Sequence, residues 1–598
     1  MTFLASSLVK LHPLDWAIIA GVLLISLAIG VVMMKKAGKS TEDFFLSGRS
    51  MPWWLLGVSM VATTFAADTP NLVTQIVRTD GVAGNWVWWA FILSAMLTTF
   101  VFARLWRRSE VMTDIEFYEL RYSGKSAGFL RGFRALYLGL IFNTIVMANV
   151  NLAAIKFGSV LMGLDPWQTL LIGSGITVAY SALGGLRGIL ATDFFQFFLA
   201  MAGSIAACYY LLNLPEAGGL AQVLSHENVA PKLALLPDFS NWDLAMGIFL
   251  VPLVIMWWSS YYPGAEPGGG GYTAQRMLAA KNERHALGAT LFFNMAHYAL
   301  RPWPWILIAL ASLVFYPSTA DLAAALPEEY KGLAKDDIAY PLMLTKLPVG
   351  LLGLVMASLI AAYMSTISTQ LNIGSSYLTH DFYNRFIKKD ASQKQLVWMG
   401  RLFTVIIVIL AALVSFVLES AVNAFKLMVL VGAGSGLIYL LRWLWWRVNA
   451  TAEIVAMVVS FGAATFFVLG YPKLVPIADQ LPGYWQNIII VALTTVAWLL
   501  GAFFGPKTEH SHLAAFVKKI RPPGCGWKPF AEHRGSPNAK DGAALPLALF
   551  ASVLGVVAVL GTLLGMGYWL YGQVGPASLC TVLAIGSIAS LAALRNRF

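Results

Sequence analysis

Two stretches of this 598-residue sequence place polar and acidic side chains beside helix-breaking residues, inside otherwise apolar runs. The first lies at the centre of the run 52–78, and the second is 257–272, which holds two prolines and five glycines. Their polar residues are Asp68, Thr69 and Asn71 in the first, and Ser259, Tyr261, Tyr262 and Glu266 in the second. Proline removes a backbone donor, and a carboxylate in an apolar interior is costly without a partner. Both stretches are therefore predicted to be interrupted helices whose free carbonyls line a cavity.

A third apolar run, 346–377, carries a dense group of hydroxyl side chains. Ser365, Thr366, Ser368, Thr369 and Asn372 fall within two helical turns. Hydroxyls in such helices often bond back to the i−4 carbonyl, but that habit does not explain so many together. A hard cation such as Na⁺ is bound by about five or six oxygens, which paired hydroxyls and unwound carbonyls supply without a buried charge. This run predicts a sodium site.

The amino-acid composition indicates the surroundings of these helices. Hydrophobic residues make up 58% of the chain and charged residues 12%, with mean hydropathy +0.69. Soluble chains carry about 25% charged residues, so a soluble enzyme and a disordered chain are excluded. The net charge of +11 lies in short basic runs between apolar segments, which indicates membrane orientation rather than a nucleic-acid partner. We expect a multi-pass protein of the plasma membrane, with the lipid bilayer as its surroundings.

Fifteen membrane spans are predicted from apolar runs of about 20 residues and their flanks. They lie near 14–34, 52–78, 87–106, 134–160, 163–183, 189–212, 242–275, 286–315, 346–377, 397–418, 424–445, 450–470, 486–504, 545–572 and 575–594. Most of the 41 Lys and Arg residues then fall on one side. The positive-inside rule places the N-terminus outside and the C-terminus in the cytoplasm.

This parity gives the two interrupted spans opposite directions in two five-helix halves. Such a pair predicts an all-α, inverted-repeat transporter with its site at the midplane. In the alternative interpretation, 263–271 is an external loop after a short hairpin. The predicted divisions are a leading helix and linker 1–51, a first repeat 52–213, an external loop 214–241, a second repeat 242–445, trailing helices 446–504, a basic cytoplasmic loop 505–543 and two C-terminal helices 544–598.

Several motifs resemble those of the solute:sodium symporter family. They are Ala361–Gln370 with Leu378–Tyr383, Tyr180–Gly188 followed by Thr192–Gln196, Gln275–Lys281, and Phe44–Trp54. The resemblance covers about 14–470 and is specific for the family, but weakly so for the substrate. It implies a LeuT-like five-plus-five core with one leading and four trailing helices, and sodium-driven uptake by alternating access.

Individual site residues follow from the same resemblance. The sodium site would take backbone oxygens of Ala62, Phe65 and Ala362 with the side chains of Ser365 and Thr366. A competing register moves the first two positions to Ala66 and Thr69. Asp193 matches a family aspartate near the inward sodium path, and the alternative is a helix-entry carboxylate at the cytoplasmic face.

The polar residues of the two breaks are expected to line the solute pocket. Two acidic groups there, Asp68 and Glu266, favour a sugar, a polyol or an amine-bearing solute such as an amino acid over a simple anion. Arg301 could pair with Glu266, contact a substrate carboxylate, or extend to an interface. The competing functions are a transporter-like membrane sensor and a sodium-independent carrier. No convincing catalytic cluster points to an enzyme.

Overall fold

The computed structural model of the protein describes residues 11–37, 40–66, 68–259, 266–328, 331, 334–417, 421–476, 479–534 and 545–597. Within these ranges the regular structure is helical, and the sole β-type pairing is an isolated bridge between Met51 and Ala280. The all-α fold class predicted from the composition is therefore confirmed.

The first half of the chain begins with a leading helix and a short helix, and contains the first break. Its α-helices are α1 Pro13–Ala37, α2 Thr41–Leu46, α3 Trp53–Thr64, α4 Thr69–Asp80, α5 Trp86–Trp89, α6 Ile92–Leu97, α7 Ala103–Ser109, α8 Phe117–Arg121, α9 Gly124–Leu136, α10 Asn143–Met162 and α11 Pro166–Leu212. The π-helical segments Thr98–Phe102 and Tyr137–Phe142 join α6 to α7 and α9 to α10.

The second half contains the second break. Its α-helices are α12 Leu220–Ser225, α13 Trp242–Ala245, α14 Gly271–Ala279, α15 Glu283–Asn294, α16 Pro302–Phe315, α17 Thr319–Ala325, α18 Ala339–Leu344, α19 Leu351–Ser376, α20 Gln393–Val417 and α21 Ala421–Leu444. The π-helical segments are Met246–Leu250, Pro252–Met256, Met295–Leu300 and Tyr377–Ile387.

The remaining α-helices trail the core. They are α22 Ala450–Thr465, α23 Tyr471–Leu474, α24 Gly483–Phe504, α25 His510–Ile520, α26 Leu545–Leu570 and α27 Val574–Leu594. A π-helical segment, Phe466–Gly470, joins α22 to α23, and 3₁₀ turns include Ser47–Arg49, Val82–Asn85, Ala230–Lys232, Asp336–Ile338, Cys525–Arg534 and Arg595–Arg597. In the described ranges, ten helices are long and apolar enough to cross a membrane, or eleven with one bent pair. In a broken span, each helical piece is shorter than the length needed to cross a membrane and is not counted. The number of fifteen spans stays a prediction.

Both predicted breaks are present. Helix α3 ends at Thr64, where Phe65 leaves the helical region with ψ of 65°, and α4 begins at Thr69 with Pro70 in its first turn. A missing backbone donor costs little there, because first-turn donors lack an intrahelical acceptor. On the two sides of the second break, the described helical segments end at Met256 and begin again at Gly271, and the described residues 266–270 between them are not helical. Residues 266–270 are buried. Tyr261 and Tyr262 lie outside the described residues.

The long helix α11 packs against α19, α1 and α3, and so stands at the centre of the core. It corresponds to two predicted spans, 163–183 and 189–212, which meet at Gly185. The backbone of Gly185 has φ 54° and ψ −160°, a conformation that side-chain-bearing residues rarely adopt. A Cβ at this position would lie 2.7 Å from the carbonyl oxygen of Phe44. Gly185 therefore marks the boundary between the two predicted spans, and its lack of a side chain leaves room for the segment that follows α1.

Replacing Gly185 with alanine is expected to lower the free energy of unfolding by at least about 2 kcal/mol, because strain and overlap act together. The apparent melting temperature of the purified protein in detergent measures the effect. Gly175→Ala is the matched control in the same helix, since a Cβ there meets nothing within 4 Å. An equal melting temperature for the two variants would contradict this account of the division.

Candidate functional site

The cluster of hydroxyl side chains on α19 lies against the last turn of α3, beside the first break. The Thr366 hydroxyl lies 3.0 Å from the Thr63 carbonyl oxygen and 3.1 Å from that of Ala362. The hydroxyls of Thr63 and Thr369 are 3.1 Å apart. The carbonyl of Ala62 accepts the Phe65 N–H at 3.1 Å. The structure thus brings Ala362 and Thr366 against the turn that contains Ala62 and ends at Phe65.

Asp193 reaches this contact from α11. Its carboxylate is fully buried and accepts hydrogen bonds from Ser365 Oγ at 2.6 Å and Ser59 Oγ at 2.5 Å. A hydroxyl that donates its proton to a carboxylate offers lone pairs in its other directions. Asp193 therefore orients the Ser365 hydroxyl as an oxygen acceptor. This placement is inside the core, at the contact between α3, α11 and α19.

Arg276 of α14 completes the same polar network. Its guanidinium lies 3.8 Å from Asp193, and it donates to Thr369 Oγ1 at 2.8 Å and to Ser59 Oγ at 3.2 Å. It also donates to Gln275 Oε1 at 2.7 Å, and Gln275 in turn donates to Asn372 at 2.7 Å. The sequence identified Arg276 only as part of a motif. The structure shows that it supplies the positive charge opposite Asp193.

A separate cavity lies between α6, the second break and α15. Its volume is about 50 Å³, and it is lined by Phe91, Ser94, Ala95, Thr98, Ser259, Glu266, Gly269, Tyr272, Thr273, Thr290, Phe293, Asn294 and Tyr298. Hydroxyls, one amide and aromatic rings make up most of its wall. Asn294 Nδ2 donates to Thr99 Oγ1 and to the Thr290 carbonyl, and its buried Oδ1 has no hydrogen-bond partner among the described residues. Asn294 thus brings a buried, unpaired oxygen to a residue of the cavity wall.

Sequence reasoning missed most of this wall. It selected Ser259 and Glu266, but not the residues on α6 and α15. A signal existed: Ser94 and Thr98 are four residues apart, and Thr290, Asn294 and Tyr298 continue the same spacing, so each set forms one polar line along an apolar helix.

The predicted solute residues of the first break lie elsewhere. Asp68 and Thr69 are partly exposed and Asn71 is buried, and none of the three lines the cavity in the described part of the chain. Beside this break, Thr64 Oγ1 accepts a hydrogen bond from Arg301 at 2.9 Å and lies 3.1 Å from His297 Nδ1. The first break and the cavity are therefore neighbouring features rather than one pocket.

Glu266 has a different environment from the one expected. Its carboxylate forms ion pairs with Arg134 of α9 and Arg442 of α21, rather than with Arg301. All three side chains are buried, Glu266 at 7% exposure, Arg134 at 4% and Arg442 at 1%. Two guanidinium groups thus balance the carboxylate, so it does not act as a free negative charge for an amine. The pairing of Glu266 with Arg301, one of the expectations from the sequence, is corrected to a pairing with Arg134 and Arg442.

The glycine-rich stretch after Glu266 is fixed to the first half of the chain. The Gly268 N–H donates to Thr98 Oγ1 at 3.2 Å, and Trp106 Nε1 donates to the Gly268 carbonyl at 2.7 Å. Gly269 has φ 97°, and a Cβ there would lie 2.7 Å from Trp106 Nε1. Glycine is required because the backbone adopts a left-handed conformation and approaches the indole closely.

Known sequences and structures agree with this arrangement of broken helices around a polar core. The family described as "Sodium:solute symporter family" matches residues 44–460. The chain belongs to this family. Its members are transporters rather than enzymes, so this symporter takes up a small polar solute, with Na⁺ as the co-transported ion.

Characterised relatives resemble the symporter over most of its length. The sodium/glucose cotransporter of Vibrio parahaemolyticus is 27% identical over 495 residues, covering 79% of this chain and 89% of that protein. The sodium/myo-inositol cotransporter of Mus musculus is 28% identical over 537 residues, covering 82% and 72%. A solved substrate-bound, outward-open Na⁺-coupled sialic acid symporter matches with TM-score 0.67 at 20% identity, over 84% of this chain and 99% of the other. This likeness confirms the LeuT-like fold.

The pairing of Arg276 with Asp193 is testable by stability. Arg276→Met leaves the carboxylate buried without its cation, which is expected to lower the free energy of unfolding by about 3–5 kcal/mol. Adding Asp193→Asn to Arg276→Met should recover at least about 1 kcal/mol, since neighbouring changes do not add independently. Apparent melting temperatures of both variants in detergent provide the measurement. A double variant less stable than Arg276→Met would show that the two charges do not balance each other.

Proposed function

We propose that the symporter couples sodium to the uptake of a neutral, polyhydroxylated solute, a sugar or a polyol, in the cavity between α6, the second break and α15. The observation that carries this proposal is the cavity wall, which combines hydroxyls, an amide and aromatic rings. Its one acidic lining residue, Glu266, is balanced by two arginines. Binding sites of this kind use a few placed polar groups in a mainly apolar wall to orient the ligand.

The solute contacts we propose are Ser94, Thr98, Ser259, Thr290 and Asn294. Each presents a hydroxyl or amide at the cavity, and the Asn294 carbonyl oxygen suits a solute hydroxyl. The printed names of the relatives, glucose and myo-inositol cotransporters, support a polyhydroxylated solute. We propose that Asp68, Thr69 and Asn71 lie on the approach beside Arg301. The chain runs from Asn294, the last residue of α15, through the π-helical segment Met295–Leu300 to Arg301, which donates to Thr64 beside the first break.

For sodium, we propose the backbone oxygens of Ala62, Phe65 and Ala362 with the hydroxyls of Ser365 and Thr366. The 3.0 Å contact between Thr366 and the Thr63 carbonyl supports this register over the one that uses Ala66 and Thr69. We propose that Asp193 lies on the inward path of the ion, because its carboxylate touches Ser365 directly. A hydroxyl held as an acceptor suits a hard cation.

We propose the plasma membrane as the location, with the N-terminus outside and the basic loop 505–543 in the cytoplasm. The positive-inside rule supports this orientation. The repeat boundaries 52–213 and 242–445 stay proposals with it.

The solute class is tested by the thermal stability of the purified protein with a panel of sugars, polyols, amino acids, amines and carboxylates, in sodium and in potassium. A ligand that binds only the folded state raises apparent stability by RT ln(1 + [L]/Kd). We expect a sugar or polyol to stabilise the protein in sodium much more than in potassium. Stabilisation by amines or carboxylates alone would overturn the solute assignment, and equal shifts in both salts would favour a sodium-independent carrier or a sensor.

The sodium ligands are tested by Thr366→Ala in proteoliposomes. Loss of one hydroxyl ligand is expected to raise the sodium concentration for half-maximal uptake by about ten-fold, because one charge-assisted contact contributes about 1.5 kcal/mol. Ser368→Ala is the matched control on the same helix, since its hydroxyl bonds back to the Ser365 carbonyl at 3.0 Å. Equal sodium dependence in the two variants would remove Thr366 from the site.

A further inference from the structure

We infer that Glu266, Arg134 and Arg442 form a latch that closes the solute cavity towards the basic side of the protein. The inference rests on the proposed function, because it takes the cavity beside α6 and α15 as the transport site. Glu266 is part of the cavity wall, while its carboxylate is bound by the two guanidinium groups. One residue therefore touches both the solute space and its closure.

The latch lies between the cavity and the end of the helices that carries the basic loop. In the first half, the chain runs from Thr98 at the cavity to Trp106, whose indole N–H donates to the Gly268 carbonyl. It then continues to Asp114, which accepts the Gly271 N–H at 2.8 Å. Arg442 is near the last residue of α21, and the following turn contacts the basic loop through the bond from Trp446 N–H to the Gly526 carbonyl. Glu266 thus stands on the route from the cavity to this side.

The two arginines are held in place by groups other than Glu266. Arg442 donates to the Tyr118 hydroxyl at 3.2 Å and lies 3.7 Å from Glu453, which accepts the Tyr122 hydroxyl at 2.5 Å. Arg134 donates to the hydroxyl of Tyr439 at 3.0 Å. The guanidinium side of the latch is therefore a fixed frame built from α8, α9, α21 and α22.

Glu266 lies on the non-helical stretch of the second break, whereas both arginines lie on helices. It precedes Gly268, Gly269 and Gly271, all of which have positive φ, and glycine permits backbone rearrangements that other residues do not. Moving Glu266 away leaves buried guanidinium charge uncompensated, which favours the closed arrangement. A solute hydroxyl that donates to Glu266 competes with the arginines for its oxygens. Occupancy of the cavity therefore weakens the latch and links solute binding to opening.

The test measures access to the cavity from the basic side, without any solute. The three natural cysteines, Cys208, Cys525 and Cys580, are replaced, and Ser94→Cys places one thiol in the cavity wall. Vesicles of each orientation are treated with a membrane-impermeant thiol reagent. The natural protein, which retains its cysteines, identifies the vesicles that expose the basic side, because Cys525 is exposed in the basic loop.

Glu266→Gln is expected to raise labelling of the cavity thiol by about ten-fold from the basic side, as an open minor state of a few per cent becomes populated. The matched control is Glu119→Gln, which removes a carboxylate that also pairs with two arginines, Arg131 and Arg385, none of the three being a lining residue of the cavity or a member of the latch. Labelling of the control is expected to remain at the level of its parent, the protein with Ser94→Cys as its single cysteine. Unchanged labelling in Glu266→Gln, or equal labelling in both variants, would overturn the latch.

Size-exclusion profiles establish that each variant is folded. Should Glu266→Gln not fold, Arg442→Lys makes the same test, because it keeps the charge and loses the forked geometry; it should raise labelling from the basic side, and parent-level labelling would overturn the latch. The solute assignment fails separately. A panel in which no sugar or polyol stabilises the protein removes the proposed solute and leaves the labelling result intact.

Discussion

A buried carboxylate has to be matched by opposite charge or by oriented hydrogen bonds, and this constraint organises the core of the symporter. Asp193 meets it by collecting partners from three other helices: Ser59 of α3, Ser365 of α19 and Arg276 of α14. Helices from both halves of the chain are thereby joined at one polar point. Next to Ser365 on α19, Thr366 lies 3.0 Å from the Thr63 carbonyl oxygen, beside the first break where α3 ends.

The buried carboxylate of the second break is also balanced, but by different partners. Glu266 is balanced by Arg134 and Arg442, and the glycines after it allow the backbone to lie against Trp106 and Thr98. Each break therefore pairs an interrupted helix with a buried ionic contact. In the first break the contact lies beside the proposed ion, and in the second it lies beside the proposed solute. Both proposed sites take residues from both halves of the chain.

The sequence was sufficient for the features that local chemistry determines. Proline, glycine and a carboxylate in an apolar run predicted both breaks, and the hydroxyls of 365–372 predicted the polar face of α19. It was not sufficient for partners distant in the chain. Nothing near Glu266 indicates Arg134 or Arg442, which lie 132 residues before it and 176 after it. For the same reason, the polar lines on α6 and α15 could be seen as periodic but not as facing one cavity.

The central claim is that sodium at the α3–α19 contact and solute in the cavity bind to one coupled unit. The most direct measurement is the sodium affinity of the purified protein with and without saturating solute, and the solute affinity with and without sodium, followed by tryptophan fluorescence. Thermodynamic linkage requires both affinities to change by the same factor, typically about 5- to 150-fold. We expect that equality, and its loss in Thr366→Ala. Sodium and solute that bind without affecting each other would contradict the account.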